Sequence, residues 1–199
     1  MEFEALNRSL FLAMNADASS LRATIEAASL IAVFAILVVP LLLCRDWLRG
    51  EREQRETALL ALATILLALG LNQVIGLFLF LPRPFAIPLG HTFLASATDT
   101  SFPSDHATVL FAAVASYWAG RRWIAASMLS VVALAVSWAR IYLGVHMPLD
   151  IAGAMVTSLI AVGIAEVSMR WMGGPLLSFG EAVYRLLFGP LIKLGWIRP

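Results

Sequence analysis

The sequence predicts an all-α polytopic membrane protein, a bundle of five or six transmembrane helices. Three observations carry that expectation. The chain is 60% apolar and only 14% charged, whereas soluble domains run nearer half and a quarter. Its apolar residues gather into runs that approach the ~20 residues a spanning helix needs. Prolines, glycines and charged residues punctuate those runs. At 199 residues a single membrane-embedded domain over 1–199 is expected. The formal net charge of +1 offers no argument for a nucleic-acid partner, and none is expected. The one cysteine, Cys44, excludes an intramolecular disulfide and a cysteine-rich metal site.

Each element follows from local residues. Phe3, Leu6, Leu10 and Met14 recur at helical spacing, with Glu4, Arg8 and Asp17 elsewhere, so residues 1–20 read as a short interfacial helix. The start lacks a basic n-region, and no cleavable signal peptide is expected. The first span covers about 24–44 and the second about 57–81, closed by Pro82 and Pro84 because proline cannot continue a helix. A polar loop extends to Pro103. The third run, 104–119, is short for a span. The fourth covers about 123–143 and the fifth about 149–171, where Gly173-Gly174-Pro175 is expected to break it. Glu181, Arg185 and Lys193 interrupt the residues that follow, so 176–199 reads as an amphipathic tail on the membrane in preference to a sixth span. Trp47, Trp118, Trp123 and Trp171 near span ends fit an aromatic belt. Glu166, four residues before Arg170, is expected to form a local ion pair.

Basic residues orient the bundle. Arg45, Arg49, Arg52 and Arg55 lie between the first two spans, Arg121 and Arg122 between the third and fourth, and Arg170 closes the fifth. By the positive-inside rule these ends are cytoplasmic. The loops 82–104 and 140–150 then share the opposite face. Those loops and their edges hold Arg83, Ser104, Asp105, His106, Arg140, His146 and Asp150. Ionisable groups beside apolar spans are costly, and a cluster of them marks a function.

The residue types suit phosphoryl transfer. Pro103 followed by Ser104 ahead of an apolar run reads as a helix start with Ser104 as N-cap. Its free N–H groups form an anion site, with His106 in the first turn. Pro148 suits the first turn of the fifth span, which puts His146 at its boundary and Asp150 four residues on, on the same helix face. A carboxylate on one ring nitrogen fixes the tautomer and leaves the other free to attack. Gly144 permits the turn that brings Arg140 back toward His146. Arg83 and Arg140 supply planar forks for phosphate oxygens. One histidine attacks while the other protonates the leaving oxygen. No carboxylate cluster resembles a magnesium site, so no metal and no cofactor are expected. His91 and Asp99 read as solvated loop residues, and Asn72 and Gln73 as partners in interhelical hydrogen bonds.

These residues resemble the motifs of the type-2 phosphatidic acid phosphatase superfamily: lysine, six residues, Arg-Pro; Pro-Ser-Gly-His; and Ser-Arg, five residues, His, three residues, Asp. Arg83-Pro84 matches the end of the first. Pro103-Ser104-Asp105-His106 matches the second with aspartate in place of glycine. Arg140, His146 and Asp150 match the third at full spacing, with Ala139 where serine is usual. The first-motif lysine would fall on Gly76. The stretches 72–76, 82–85, 90–92 and 101–106 are similar to the bacitracin-resistance type of undecaprenyl-diphosphate phosphatase. That resemblance implies hydrolysis of the terminal phosphate of undecaprenyl diphosphate at the outer face of a bacterial cytoplasmic membrane, recycling the cell-wall lipid carrier. It implies His146 as the nucleophile that becomes a phosphohistidine, Asp150 as its orienting partner and His106 as the proton donor. Arg83, Ser104 and Arg140 would bind phosphate, and Asp105 would add its backbone N–H while its carboxylate binds water or pairs with an arginine. The same chemistry on phosphatidylglycerol phosphate, phosphatidic acid or lipid A is the nearest alternative, as is transfer of the phosphate to another lipid. A transporter or non-catalytic scaffold would explain the spans but not the gathering of ionisable groups on one face.

Overall fold

The computed structural model describes residues 2–94 and 99–198; Met1, Pro199 and residues 95–98 of the expected outer loop lie outside it. The side chain of Phe3, first in the N-terminal apolar stripe, is likewise outside the described residues. Among the described residues the chain is helical without strands. Helix α1 is Glu2–Met14, α2 Arg22–Phe34, α3 Val38–Arg49, α4 Arg52–Phe78, α5 Asp105–Ala119, α6 Trp123–Tyr142 and α7 Pro148–Lys193. A 3-10 turn, Ala35–Leu37, joins α2 to α3. It stands where Pro40 leaves the Ile36 carbonyl without its usual donor. Four helical stretches are long and apolar enough to cross a membrane: Arg22–Arg49, Arg52–Phe78, Trp123–Tyr142 and Pro148–Lys193.

The short helix α5 is the hub and packs against α4, α6 and α7. Leu110, Ala112, Ala113 and Tyr117 on it are completely buried. The interior is built largely from alanine: Ala61, Ala68, Ala107, Ala126, Ala133, Ala154 and Ala161 are all fully buried. Leu62, Leu66, Ile124, Met128, Leu134 and Leu159 face outward. Small residues inside let helix backbones approach, and large apolar residues outside suit hydrocarbon. Helix α2 lies along α6 and α3 along α4. The α1 helix is anchored by completely buried Phe11 and by Leu149, whose N–H donates to Asn7 Oδ1 at 3.0 Å.

Two sequence expectations are corrected. Gly173-Gly174-Pro175 does not end the last span, because α7 continues for 46 residues with Pro175 and Pro190 inside it. An interior proline costs about 3 kcal/mol, and tertiary packing downstream outweighs that. Leu177 and Tyr184 are buried, Glu181 pairs with buried Arg55 at 3.4 Å, and the Arg55 guanidinium lies 5.3 Å from the Tyr184 ring centre. The Tyr184 hydroxyl donates to the Arg198 carbonyl at 2.9 Å. The segment after Pro175 therefore docks on the α3–α4 turn as part of the long helix. The second correction concerns Glu166 and Arg170, which both line an open cleft of about 780 Å³ with Glu53, Arg121 and Arg122. They form no ion pair with each other or with any other described residue, since both side chains are exposed and water competes effectively for them.

Candidate active site

The site is built where two helices begin. Pro148 opens α7, and the Asp150 carboxylate turns back to accept the Met147 N–H at 2.8 Å. The start of α5 lies beside it, because the Ser104 N–H donates to the Asp150 carbonyl at 3.2 Å. Two helix N-termini thus converge, and both favour an anion. After α6 the backbone folds back sharply: the N–H groups of Val145 and His146 both donate to the Arg140 carbonyl, at 3.0 and 3.3 Å. Gly144 makes this possible with φ +76°, a conformation that costs glycine little. A Cβ there would also collide with the His91 carbonyl oxygen.

His146 is the centre of the arrangement. It is buried, as are Asp150, Arg83, Arg140, Ser101 and Ser104. Its Nδ1 lies 3.2 Å from Asp150 Oδ2 and 3.3 Å from Ser101 Oγ. Its Nε2 lies 3.4 Å from Arg83 Nη1 and 3.4 Å from Arg140 Nη2. A carboxylate only accepts and a guanidinium only donates, so the network assigns the proton to Nδ1 and the lone pair to Nε2. His146 stands between α6 and α7, and burial pushes its pKa below the ordinary 6.5. Asp150 opposes that shift, while Arg140 and Arg83 reinforce it.

The structure brings Arg83, Arg140, His146 and Asp150 into direct contact. His106, half-buried in the first turn of α5, is close enough to feel the charges of Arg140, His146 and Arg83. Ser104 does occupy the N-cap position, but its hydroxyl makes no capping bond. Ser104 Oγ and Arg140 Nε are buried without a partner among the described residues. The Asp105 carboxylate pairs with neither arginine. It accepts from Asn72 Nδ2 at 2.8 Å, and the same amide nitrogen lies 2.9 Å from Thr108 Oγ1, so Asn72 bridges α4 to α5. The His91 N–H donates to Asn15 Oδ1 at 2.7 Å, and its carbonyl lies against Gly144.

Sequence reasoning missed two residues of the site. Ser101 donates to Asp150 Oδ2, joining His146 in contact with that oxygen. Asp99, read as solvated, receives Arg83 Nε at 3.0 Å and Nη2 at 2.8 Å, although its side chain stays 63% exposed. Both lie in an irregular segment with no periodicity. Their position a few residues before Ser104 is the one hint the sequence offers.

Residues 57–174 match the PAP2 superfamily. The chain is 36% identical over 195 residues, 98% of each protein, to YbjG of Escherichia coli K12, whose name provisionally makes it an undecaprenyl-diphosphatase. It is 31% identical over 163 residues to the undecaprenyl-diphosphatase BcrC of Bacillus subtilis 168, covering 80% of this chain and 82% of that one. Among solved structures, that of Aquifex aeolicus LpxE superposes with a TM-score of 0.67 at 25% identity, over 80% of this chain and 94% of the other. A matched region that begins in α4, runs through both converging helix starts and ends in α7 places the chain in the PAP2 superfamily.

Proposed function

We propose that the protein hydrolyses the terminal phosphate of undecaprenyl diphosphate at the outer face of the cytoplasmic membrane, through a phosphohistidine on His146, and so recycles a cell-wall lipid carrier. One observation carries the reading: two arginine Nη atoms flank His146 Nε2, each at 3.4 Å, while Nδ1 faces the Asp150 carboxylate. A phosphorus atom in line with Nε2 would have its equatorial oxygens between two guanidinium groups. The names of YbjG and BcrC support the polyprenyl diphosphate as substrate.

The chemistry balances with this chain's own groups. The Nε2 lone pair attacks the terminal phosphorus and the bond to the bridging oxygen breaks. Protonated His106 gives its proton to that oxygen, releasing the lipid monophosphate. Asp150 stabilises the positive charge that develops on the ring. His106, now neutral, takes a proton from water, the water oxygen attacks phosphorus, and the N–P bond breaks to free inorganic phosphate. The unpartnered Ser104 hydroxyl and Arg140 Nε–H become satisfied by phosphate oxygens, which removes the penalty of leaving them buried and unpaired. The Asp105 backbone N–H at the α5 start adds a further donor. Cationic charge comes from arginines, so the reading calls for no metal and no cofactor.

The test is phosphate release by the detergent-purified protein from a panel of lipid phosphates and diphosphates, with EDTA present. His146→Ala should lose about a thousandfold or more in kcat, and His106→Ala about 10²–10⁴-fold. Equal release by wild type and His146→Ala would sink the assignment, and loss of activity on chelation would sink the metal-free chemistry. Faster turnover of phosphatidic acid than of the polyprenyl diphosphate would move the substrate to another lipid.

A further inference from the structure

We propose that Asp99 is a positioning residue for phosphate binding: it holds Arg83 by one edge so that the other end of the guanidinium is presented at His146. The inference rests on the phosphatase reading of the site and goes beyond its motifs.

Arg83 has two edges with different partners. Nε and Nη2 converge on a single Asp99 oxygen at 3.0 and 2.8 Å. Nη1 lies 3.4 Å from the Val145 carbonyl oxygen and 3.4 Å from His146 Nε2. The Asp99 pairing therefore consumes donors that do not face the reacting nitrogen and leaves the Nη1 hydrogen on the His146 side to meet a phosphate oxygen. Two bonds to one acceptor fix the plane of the guanidinium, which a lone backbone contact to Nη1 does not. Arg83 is buried, and a buried charge without a partner is costly. Asp99 answers that cost from the solvent side, its own carboxylate being mostly exposed.

The neighbouring backbone shows how Asp99 is brought there. The Ser101 N–H donates to the Leu81 carbonyl at 2.8 Å, and the Leu81 N–H donates to Thr100 Oγ1 at 3.2 Å. These bonds lay the segment 99–101 alongside the chain leaving α4, just before Arg83. Gly76 leaves room for it: a Cβ at that position would stand 3.1 Å from Thr100 Cγ2, tighter than ordinary packing allows. A longer residue at 76 would press on Thr100 and shift its neighbour Asp99.

The experiment is a double-mutant cycle on the full-length protein in detergent, read by binding of orthovanadate and inorganic phosphate through thermal shift, and by inhibition where turnover is present. Asp99→Ala should weaken both anions about tenfold, with KM for the lipid diphosphate rising more than kcat falls. Asp99→Asn keeps an oxygen that accepts from Nε and Nη2 and should restore most of that loss. Arg83→Ala with Asp99→Ala should be no weaker than Arg83→Ala alone, because Asp99 acts through Arg83. Tighter anion binding in Asp99→Ala would show a competing carboxylate and overturn the proposal. Additive losses, or Asp99→Asn as weak as Asp99→Ala, would overturn it too, and so would a wild type that binds neither anion. A wild type that binds the anions but hydrolyses no lipid diphosphate would defeat the substrate reading while leaving the cycle decisive.

Discussion

Asp150 Oδ2 takes the Met147 N–H, the Ser101 hydroxyl and the ring Nδ1–H of His146. Three donors on one oxygen hold the carboxylate still, and the carboxylate in turn holds the imidazole. Ser101→Ala removes one of the three and leaves Nδ1 with Asp150 alone. The expected result is a fall in kcat of about tenfold with a smaller change in KM, the pattern for a group that orients the nucleophile, measured by steady-state phosphate release. An unchanged kcat would assign Ser101 to packing only. At this scale the sequence was informative where chemistry is local. His146 and Asp150 are four residues apart, and the start of α7 between them, with Asp150 turned back on the Met147 N–H, brings them together. Ser101 meets Asp150 across 49 residues of sequence and Asp99 meets Arg83 across 16, both from irregular backbone. No period encodes such contacts.

Among the elements, α5 and α7 depart from uniform spans in opposite directions. The 15 residues of α5 rise roughly 22 Å, less than the ~30 Å hydrocarbon core. Helices α4, α6 and α7 pack around α5. Ser104 at its N-cap is buried, and the free N–H groups of a helix start favour an anion. The 46 residues of α7 rise roughly 69 Å and must leave the bilayer at the end that docks on the α3–α4 turn. Gly180 packs tightly in that docking: a Cβ there would sit 2.9 Å from Trp47 Cη2. Gly180→Leu should detach the extension, costing about 1–3 kcal/mol as overpacking. Limited proteolysis should then cut after Pro175 in the variant and spare the wild type, with the melting temperature lowered by several degrees. Resistance equal to wild type would show that the contact is dispensable. Sequence reasoning stopped this helix at Gly173-Gly174-Pro175 because breakers act locally. The contacts that override them come from Trp47, Leu48 and Arg55, and 126 residues of chain separate Arg55 from its partner Glu181.

For the whole molecule, charge and chemistry divide by face. The basic residues of the α3–α4 and α5–α6 turns lie at one end of the bundle. Arg83, Arg140, His146 and Asp150 lie at the other, where α5 and α7 begin. The positive-inside rule is the ground for proposing that the site faces away from the cytoplasm. Cys44 is exposed, so the test starts from Cys44→Ser. His91→Cys in that background should react with a membrane-impermeant maleimide in intact spheroplasts, and Arg121→Cys only after lysis. The opposite labelling pattern would invert the orientation and with it the leaflet in which substrate is met.

The sequence alone determined that this is a helical membrane chain of the phosphatase superfamily, and that Asp150 lies within reach of His146. Each of these depends on composition, on the resemblance of short motifs to a known family or on a local spacing, and such signals survive without knowledge of the fold. Tertiary structure alone decided what lies across space: Asp99 on the outer edge of Arg83, Ser101 on Asp150, Asn72 on Asp105, and the long α7 carried past two prolines. The physical reason is the same in each case. Hydrogen bonds and packing between distant segments are chosen by how helices stack, and small buried alanines that bring α4, α5, α6 and α7 close leave no local trace of which side chains will meet.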